Sequence, residues 1–184
     1  MCHGCGGCMK VCPPQAIREV DYRIGVIETF SAGKITLIQG NLDIGAAMAP
    51  PLIRAVKRKT DNRIPILLDA PPGTSCPVIT TLRGADFVAL VTEPTPFGLN
   101  DLILAVETVR EMDLPFGVII NRSGSGDARV NFYCADENIP ILAEIPDDRK
   151  IAEAYSRGEL IGKVFPEYRL IFEKIINDIT TRSD

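Results

Sequence analysis

No stretch of this 184-residue chain approaches the roughly 18 consecutive apolar residues of a membrane-spanning helix, so no membrane span is expected. Met1 is followed at once by Cys2 and His3 rather than by a basic and then an apolar run, so there is no sign of a secretory leader. A cytoplasmic location is the expectation. Positive charge is not in excess: 20 Lys and Arg face 24 Asp and Glu, for a formal net charge of −4. That argues against general electrostatic binding to nucleic acid. The basic cluster Lys57, Arg58 and Lys59 reads as a helix end that complements the helix dipole. There is no internal repeat, no low-complexity segment and no glycine-rich G-x-x-x-x-G-K-[ST] phosphate loop. Gly33-Lys34 is the nearest pair, but it lacks the preceding strand and a following Ser or Thr. Cysteine is not spread as a disulfide framework would be. Four of the six cysteines fall within the first twelve residues, while Cys76 and Cys134 stand alone. This points to metal ligation in a reducing compartment.

Hydrophobic residues make up 46% of the chain and charged residues 24%, enough for one α/β domain with a core, or a core and a small appendage. Residues 22–40 read as a hairpin: Ile24 to Phe30, a Ser31-Ala32-Gly33-Lys34 turn, then Ile35 to Gln39. Pro50 and Pro51 can open a helix with Leu52, Ile53 and Val56 on one face. Ile64 to Asp69 has the pattern of a short buried strand. Phe87 to Thr92, Phe116 to Asn121 and Ile141 to Ile145 are three more. Leu99, Leu102, Ile103, Val106 and Val109 recur at helical spacing. Asp147 or Asp148 can cap a helix that Gly158 ends. A last helix from near Pro166 is expected to bury Phe172, Ile175, Ile176 and Ile179. Apolar strands alternating with amphipathic helices predict a mostly parallel sheet flanked by helices, with ligands beyond the carboxyl ends of the strands. Those ends carry Asp69, Asn121 and the Pro146-Asp147-Asp148 turn.

Cys2, Cys5, Cys8 and Cys12, with Pro13, form C-x2-C-x2-C-x3-C-P. Two-residue gaps aim successive thiolates at one centre, and soft thiolates suit an iron–sulfur cluster, here a 4Fe-4S cluster. Structural zinc usually takes two separated ligand pairs, which three cysteines in seven residues do not readily give. In two-cluster ferredoxins the fourth cysteine of such a run ligates the other cluster. Cys2, Cys5 and Cys8 then need a fourth thiolate, and Cys12 serves a second cluster whose other ligands are not in this sequence. Three readings stay open: the chain is a fragment (the favoured one), Cys12 closes an unusual single site, or the isolated chain holds no cluster. His3 could tune the cluster or be an exposed loop residue without a role. Cys134 reads as a small core residue on a helix.

Ile66-Leu67-Leu68-Asp69-Ala70-Pro71-Pro72-Gly73-Thr74 is an apolar run ending in a carboxylate and a stiff turn. Such an Asp can hold magnesium through water, and Gly73 would let backbone approach a γ-phosphate. It could equally be a solvated strand end. Continued through Ser75-Cys76-Pro77-Val78-Ile79, Gly84-Ala-Asp86 and Val91-Thr-Glu-Pro-Thr95, the segment resembles the Walker B and switch II region of the MinD/Mrp family of P-loop ATPases. It is most similar to the branch with an inserted ferredoxin domain, loosely labelled cobyrinic acid a,c-diamide synthase-like.

The resemblance implies a partial SIMIBI-type P-loop fold. Residues 1–40 would be the remnant of the ferredoxin-like insert, and 41–184 the C-terminal part of the ATPase domain. It implies ATP with Mg2+ as a ligand of the intact protein. Asp69 would be the Walker B acid and catalytic residue, Gly73 the switch glycine, and Asn121 the adenine reader. Pro146 and Asp147 would flank the base. Arg122 stands where the family often has Lys. Asn121 could otherwise cap a loop, and Asp147 a helix. Cys76 could face the cluster, act as a redox-sensitive thiol, or be buried.

The absent phosphate loop and missing cluster ligands together lead to the expectation of an N-terminal truncation. The intact protein would couple an ATPase to electron or cluster transfer toward a redox or iron–sulfur client, with nucleotide-sandwich dimers as in MinD relatives. The alternatives are a non-catalytic ferredoxin-like carrier or scaffold that pairs with a separate P-loop subunit, or a zinc-binding adaptor.

Overall fold

The computed structural model describes residues 6–46 and 48–183, the side chains of 182 and 183 excepted. Cys2, His3 and Cys5 lie outside the described residues. The chain divides into two compact units, one reaching to Pro71 and including Cys76–Thr81, the other formed by Pro72–Ser75 and the chain from Leu82 onward.

In the first unit a short helix, α1 (Gly7–Val11), precedes an antiparallel hairpin of β1 (Gly25–Ala32) and β2 (Ile35–Leu42). The two-residue Gly33-Lys34 loop has positive φ at Gly33, 62°, and not at Lys34, the pattern of a type II′ turn that matches the strand twist. Helix α2 (Pro50–Lys57) starts on two prolines and lies on the hairpin at Gly40. A Cβ at Gly40 would stand 2.9 Å from both Leu52 Cγ and Val56 Cγ2, so only glycine allows this approach. The Lys57 ammonium at the end of α2 donates to the Thr81 carbonyl of α3 (Cys76–Leu82), at 2.7 Å. Partial burial lowers the Lys57 pKa.

The predicted strand Ile64–Asp69 does not form. Among the described residues nothing pairs with it, so its backbone groups have no ladder, and Leu67 is 96% exposed. Its apolar pattern alone could not make it a strand, because a strand needs a lateral neighbour.

The second unit is a three-stranded parallel sheet in the order β3 (Val88–Thr92), β4 (Phe116–Ser123), β5 (Ile141–Pro146). Helices α4 (Pro96–Glu111) and α5 (Arg129–Asp136) accompany it. Val106 and Leu102 of α4 and Val130 and Cys134 of α5 bury with Val118 and Ile120 of β4. A separate cluster joins Ile119, Leu142 and Ala143 to Ile175 of α8 (Pro166–Ser183). Cys134, in the cluster with Val118 and Ile120, is 1% exposed, the core residue expected from sequence, and burial raises its thiol pKa. Helices α6 (Arg149–Ser156) and α7 (Ile161–Val164) complete the chain. The buried face of α8 differs from the expected one. Tyr168, Ile171, Ile175 and Ile179 point inward, whereas Phe172 and Ile176 are exposed. The inward set repeats at three and four residues, and Phe172 and Ile176 each sit one position further round the helix. Among the described residues no helix is long and apolar enough to cross a membrane.

Candidate functional site

Parallel strands β3, β4 and β5 all end at the same edge of their sheet. Three short polar segments therefore meet there: Thr92-Glu93, Asn121-Arg122-Ser123 and Pro146-Asp147-Asp148. An open cavity of about 420 Å3 lies at this edge, lined by Val91, Thr92, Glu93, Phe97, Asp101 and Asn121 among others. Its size is that of a small-molecule site. Thr92 is buried, and its hydroxyl donates to the Gly98 carbonyl at 2.9 Å, pinning the start of α4 to the end of β3. Thr95 caps α4 by accepting from the Gly98 amide.

The Arg122 side chain bridges the three strand ends. Its Nε donates to Asp147 Oδ1 at 3.2 Å, and Nη1 stands 3.6 Å from Glu93 Oε2. The bond to Asp147, helped by the charge of both carboxylates, raises the Arg122 pKa further. Its backbone is left-handed, φ 53°, rare for a residue with a side chain. The Ser125 amide and hydroxyl both bond to the Arg122 carbonyl, closing the turn. The Asp147 amide donates to the Ser123 carbonyl at 3.0 Å, which ties the ends of β4 and β5. Below them Glu144 accepts from the Ser123 hydroxyl and from the Asn131 amide.

Asp148, not Asp147, is the cap of α6. It accepts from the Lys150 amide at 2.9 Å and from the hydroxyl of buried Tyr168 at 2.9 Å. Both bonds favour the carboxylate, the Lys150 amide most, so its pKa is lowered from the usual 3.8. Asp147 is thus left at the sheet edge, bonded to Arg122.

The other sequence-predicted residues are positioned as follows. Asp69 is exposed in the first unit, and Gly73 belongs to the second, with φ 91°. Cys76 is exposed at the start of α3, which removes the reading of a buried thiol. Cys8 is exposed on α1, and Cys12, at the end of that helix, is half-buried. Both are free thiols, the soft donors that an iron–sulfur cluster takes. Among the described residues no three metal-ligating side chains gather. Sequence reasoning assigned no task to Glu93 and treated Arg122 only as a departure from lysine. The signal that could have found the bridge is the pair of carboxylates at the neighbouring strand ends, which an arginine between them can span.

No protein-family model matches the chain. It is 29% identical over 175 residues to the protein MJ0579 of Methanocaldococcus jannaschii, covering 94% of this chain and 61% of that one. It is 31% identical over 104 residues to the iron–sulfur cluster carrier protein of Rickettsia bellii, covering 54% and 33%. The chain therefore spans less than two thirds of the length of either relative. Among solved structures it is similar to the cell division ATPase MinD of Pyrococcus furiosus, with a TM-score of 0.55 and 28% identity over 72% of this chain and 56% of that one. The fold is thus the α/β, parallel-sheet arrangement of MinD-type P-loop proteins, and the likeness in sequence extends to iron–sulfur cluster carriers.

Proposed function

We propose that this chain is the cysteine-bearing and base-reading portion of an ATP-binding iron–sulfur protein, in which ATP turnover is coupled to transfer of electrons or of a cluster to a client. The observation that carries the reading is the union, in one chain, of the C-x2-C-x2-C-x3-C-P run with a MinD-like sheet edge holding Asn121, Pro146 and Asp147. A 4Fe-4S cluster supplies one-electron chemistry when bound. Cys2, Cys5 and Cys8 would be its ligands from this chain, with Cys12 directed to a second cluster. Gly6 adopts φ 73°, so the loop turns sharply just before Cys8. Asn121 would read adenine, because one primary amide both donates and accepts. Pro146 and Asp147 would flank the base. Asp69 would hold Mg2+ through water, with Gly73 in the turn that responds to the γ-phosphate. The whole protein would work as a homodimer around nucleotide.

Anaerobic purification tests the iron–sulfur half. A brown chain absorbing at ~400 nm, with iron and acid-labile sulfide in equal amounts, is the expected result, and Cys8→Ser should deplete both. A colourless chain with tightly bound zinc would defeat the reading in favour of an adaptor.

A further inference from the structure

We propose that Arg122 is a positioning residue for base recognition: by bridging Glu93 and Asp147 it fixes the Asn121 amide and occupies the two neighbouring carboxylates, tilting the edge toward adenine and away from guanine. This deepens the proposed function and rests on its reading of Asn121 as the base-reading amide.

Three features of the structure carry it. First, a residue with a Cβ sits in the left-handed region at Arg122, φ 53°, one position after Asn121. Glycine would meet that backbone demand more easily. Second, that guanidinium reaches the ends of both flanking strands, at 3.2 Å from Asp147 and 3.6 Å from Glu93, while the Asp147 amide is bound to the Ser123 carbonyl. The strand ends on either side of Asn121 are therefore tied to one another through the residue that follows it. Third, Glu93 and Asn121 line the same cavity. A guanine ring presents adjacent N–H donors that suit a free carboxylate. Adenine presents one donor and one acceptor, which suit a primary amide. With Asp147 bonded to Arg122, Glu93 paired to it at 3.6 Å and one of the two negative charges offset, the carboxylates are weaker acceptors for guanine and the amide is the better partner at this edge.

The test is a titration of the 15N-labelled chain with AMP and with GMP, following the Asn121 side-chain amide. Four proteins are compared: wild type, Arg122→Gln, Arg122→Gly and Arg122→Lys. Arg122→Gly keeps the left-handed backbone, and its melting curve reports whether the fold is intact. The expected result is a wild-type preference for AMP over GMP of about tenfold, the scale of one net hydrogen bond. Arg122→Gln and Arg122→Gly should bring the ratio near one. Arg122→Lys, a point charge without the fork, should recover part of it. If wild type prefers AMP and the Gly and Gln variants keep that preference, the role of Arg122 is overturned while the reading of Asn121 stands. If AMP leaves the Asn121 resonance unmoved at millimolar concentration, the base-reading premise itself fails and takes the proposal with it.

Discussion

Asp148 has two partners, and both act on the same protonation state. The Lys150 amide and the Tyr168 hydroxyl each donate to its carboxylate, so its folded pKa lies below the ordinary 3.8. A depressed carboxylate contributes stability that is present above its unfolded pKa and is lost as pH falls through the folded one. Exposed Asp127, held low by Arg129, acts in the same direction, so the acid limb is shared. Tyr168→Phe isolates the contribution of Asp148, because it removes one of its two bonds and leaves the buried ring in place. The variant should be slightly less stable near neutral pH, and its stability should fall less steeply than that of wild type between about pH 5 and about pH 3. Urea midpoints measured across that range decide it, and parallel slopes would show that the Tyr168 bond has no effect on the titration. Asp148 also marks where sequence was ambiguous. Two adjacent aspartates could each cap α6, and only the backbone geometry assigns the cap to Asp148 and leaves Asp147 for Arg122.

At the scale of elements, what sequence revealed and what it did not divide along one line. Elements whose pattern is answered by a neighbour within the chain were legible: β4 meets β3 and β5, and α4 meets the sheet with Leu102 and Val106. Ile64–Asp69 has an equally apolar pattern but no partner strand among the described residues, so it stays unpaired. Periodicity reports which side chains suit burial, whereas pairing depends on a second segment that the pattern does not contain. On α8 two adjacent apolar stripes were present, and the sheet residues Ile119, Leu142 and Ala143 take the stripe with Ile171, Ile175 and Ile179. The bridge at Arg122 was illegible for a related reason, since it joins side chains 29 and 25 positions apart, at Glu93 and Asp147. These differences have a measurable consequence. Leu142, 1% exposed on β5, should cost about 2–5 kcal/mol when changed to Ala, because the cavity cannot fully collapse. Leu67→Ala, at a site 96% exposed, should change stability by less than about 0.5 kcal/mol. Urea unfolding of both variants checks the pair, and a large loss at Leu67 would mean that its segment is packed in solution.

For the molecule as a whole, the distribution of charge sets what a nucleotide can find here. The chain carries a net charge of −4 and no glycine-rich loop with its phosphate-neutralising lysine. At the described sheet edge the cation nearest Asn121 in sequence, Arg122, is already committed to Glu93 and Asp147. A nucleotide bound there gains from its base and little from its phosphates. Phosphoryl transfer, by contrast, draws almost all its acceleration from cations and backbone amides gathered on the phosphates. Two outcomes follow for the 184-residue chain. Without Mg2+, ATP and AMP should bind with affinities within about threefold of each other, since the sequence holds no phosphate-neutralising lysine loop for the added phosphates, which approach a surface of like sign. Phosphate release from ATP should stay at the level of a buffer blank. Calorimetric titration with the two nucleotides, paired with a phosphate-release assay, measures both. ATP binding more than about tenfold tighter than AMP would reveal a phosphate site within this chain, because that ratio corresponds to about 1.4 kcal/mol of interaction that the base and ribose cannot supply.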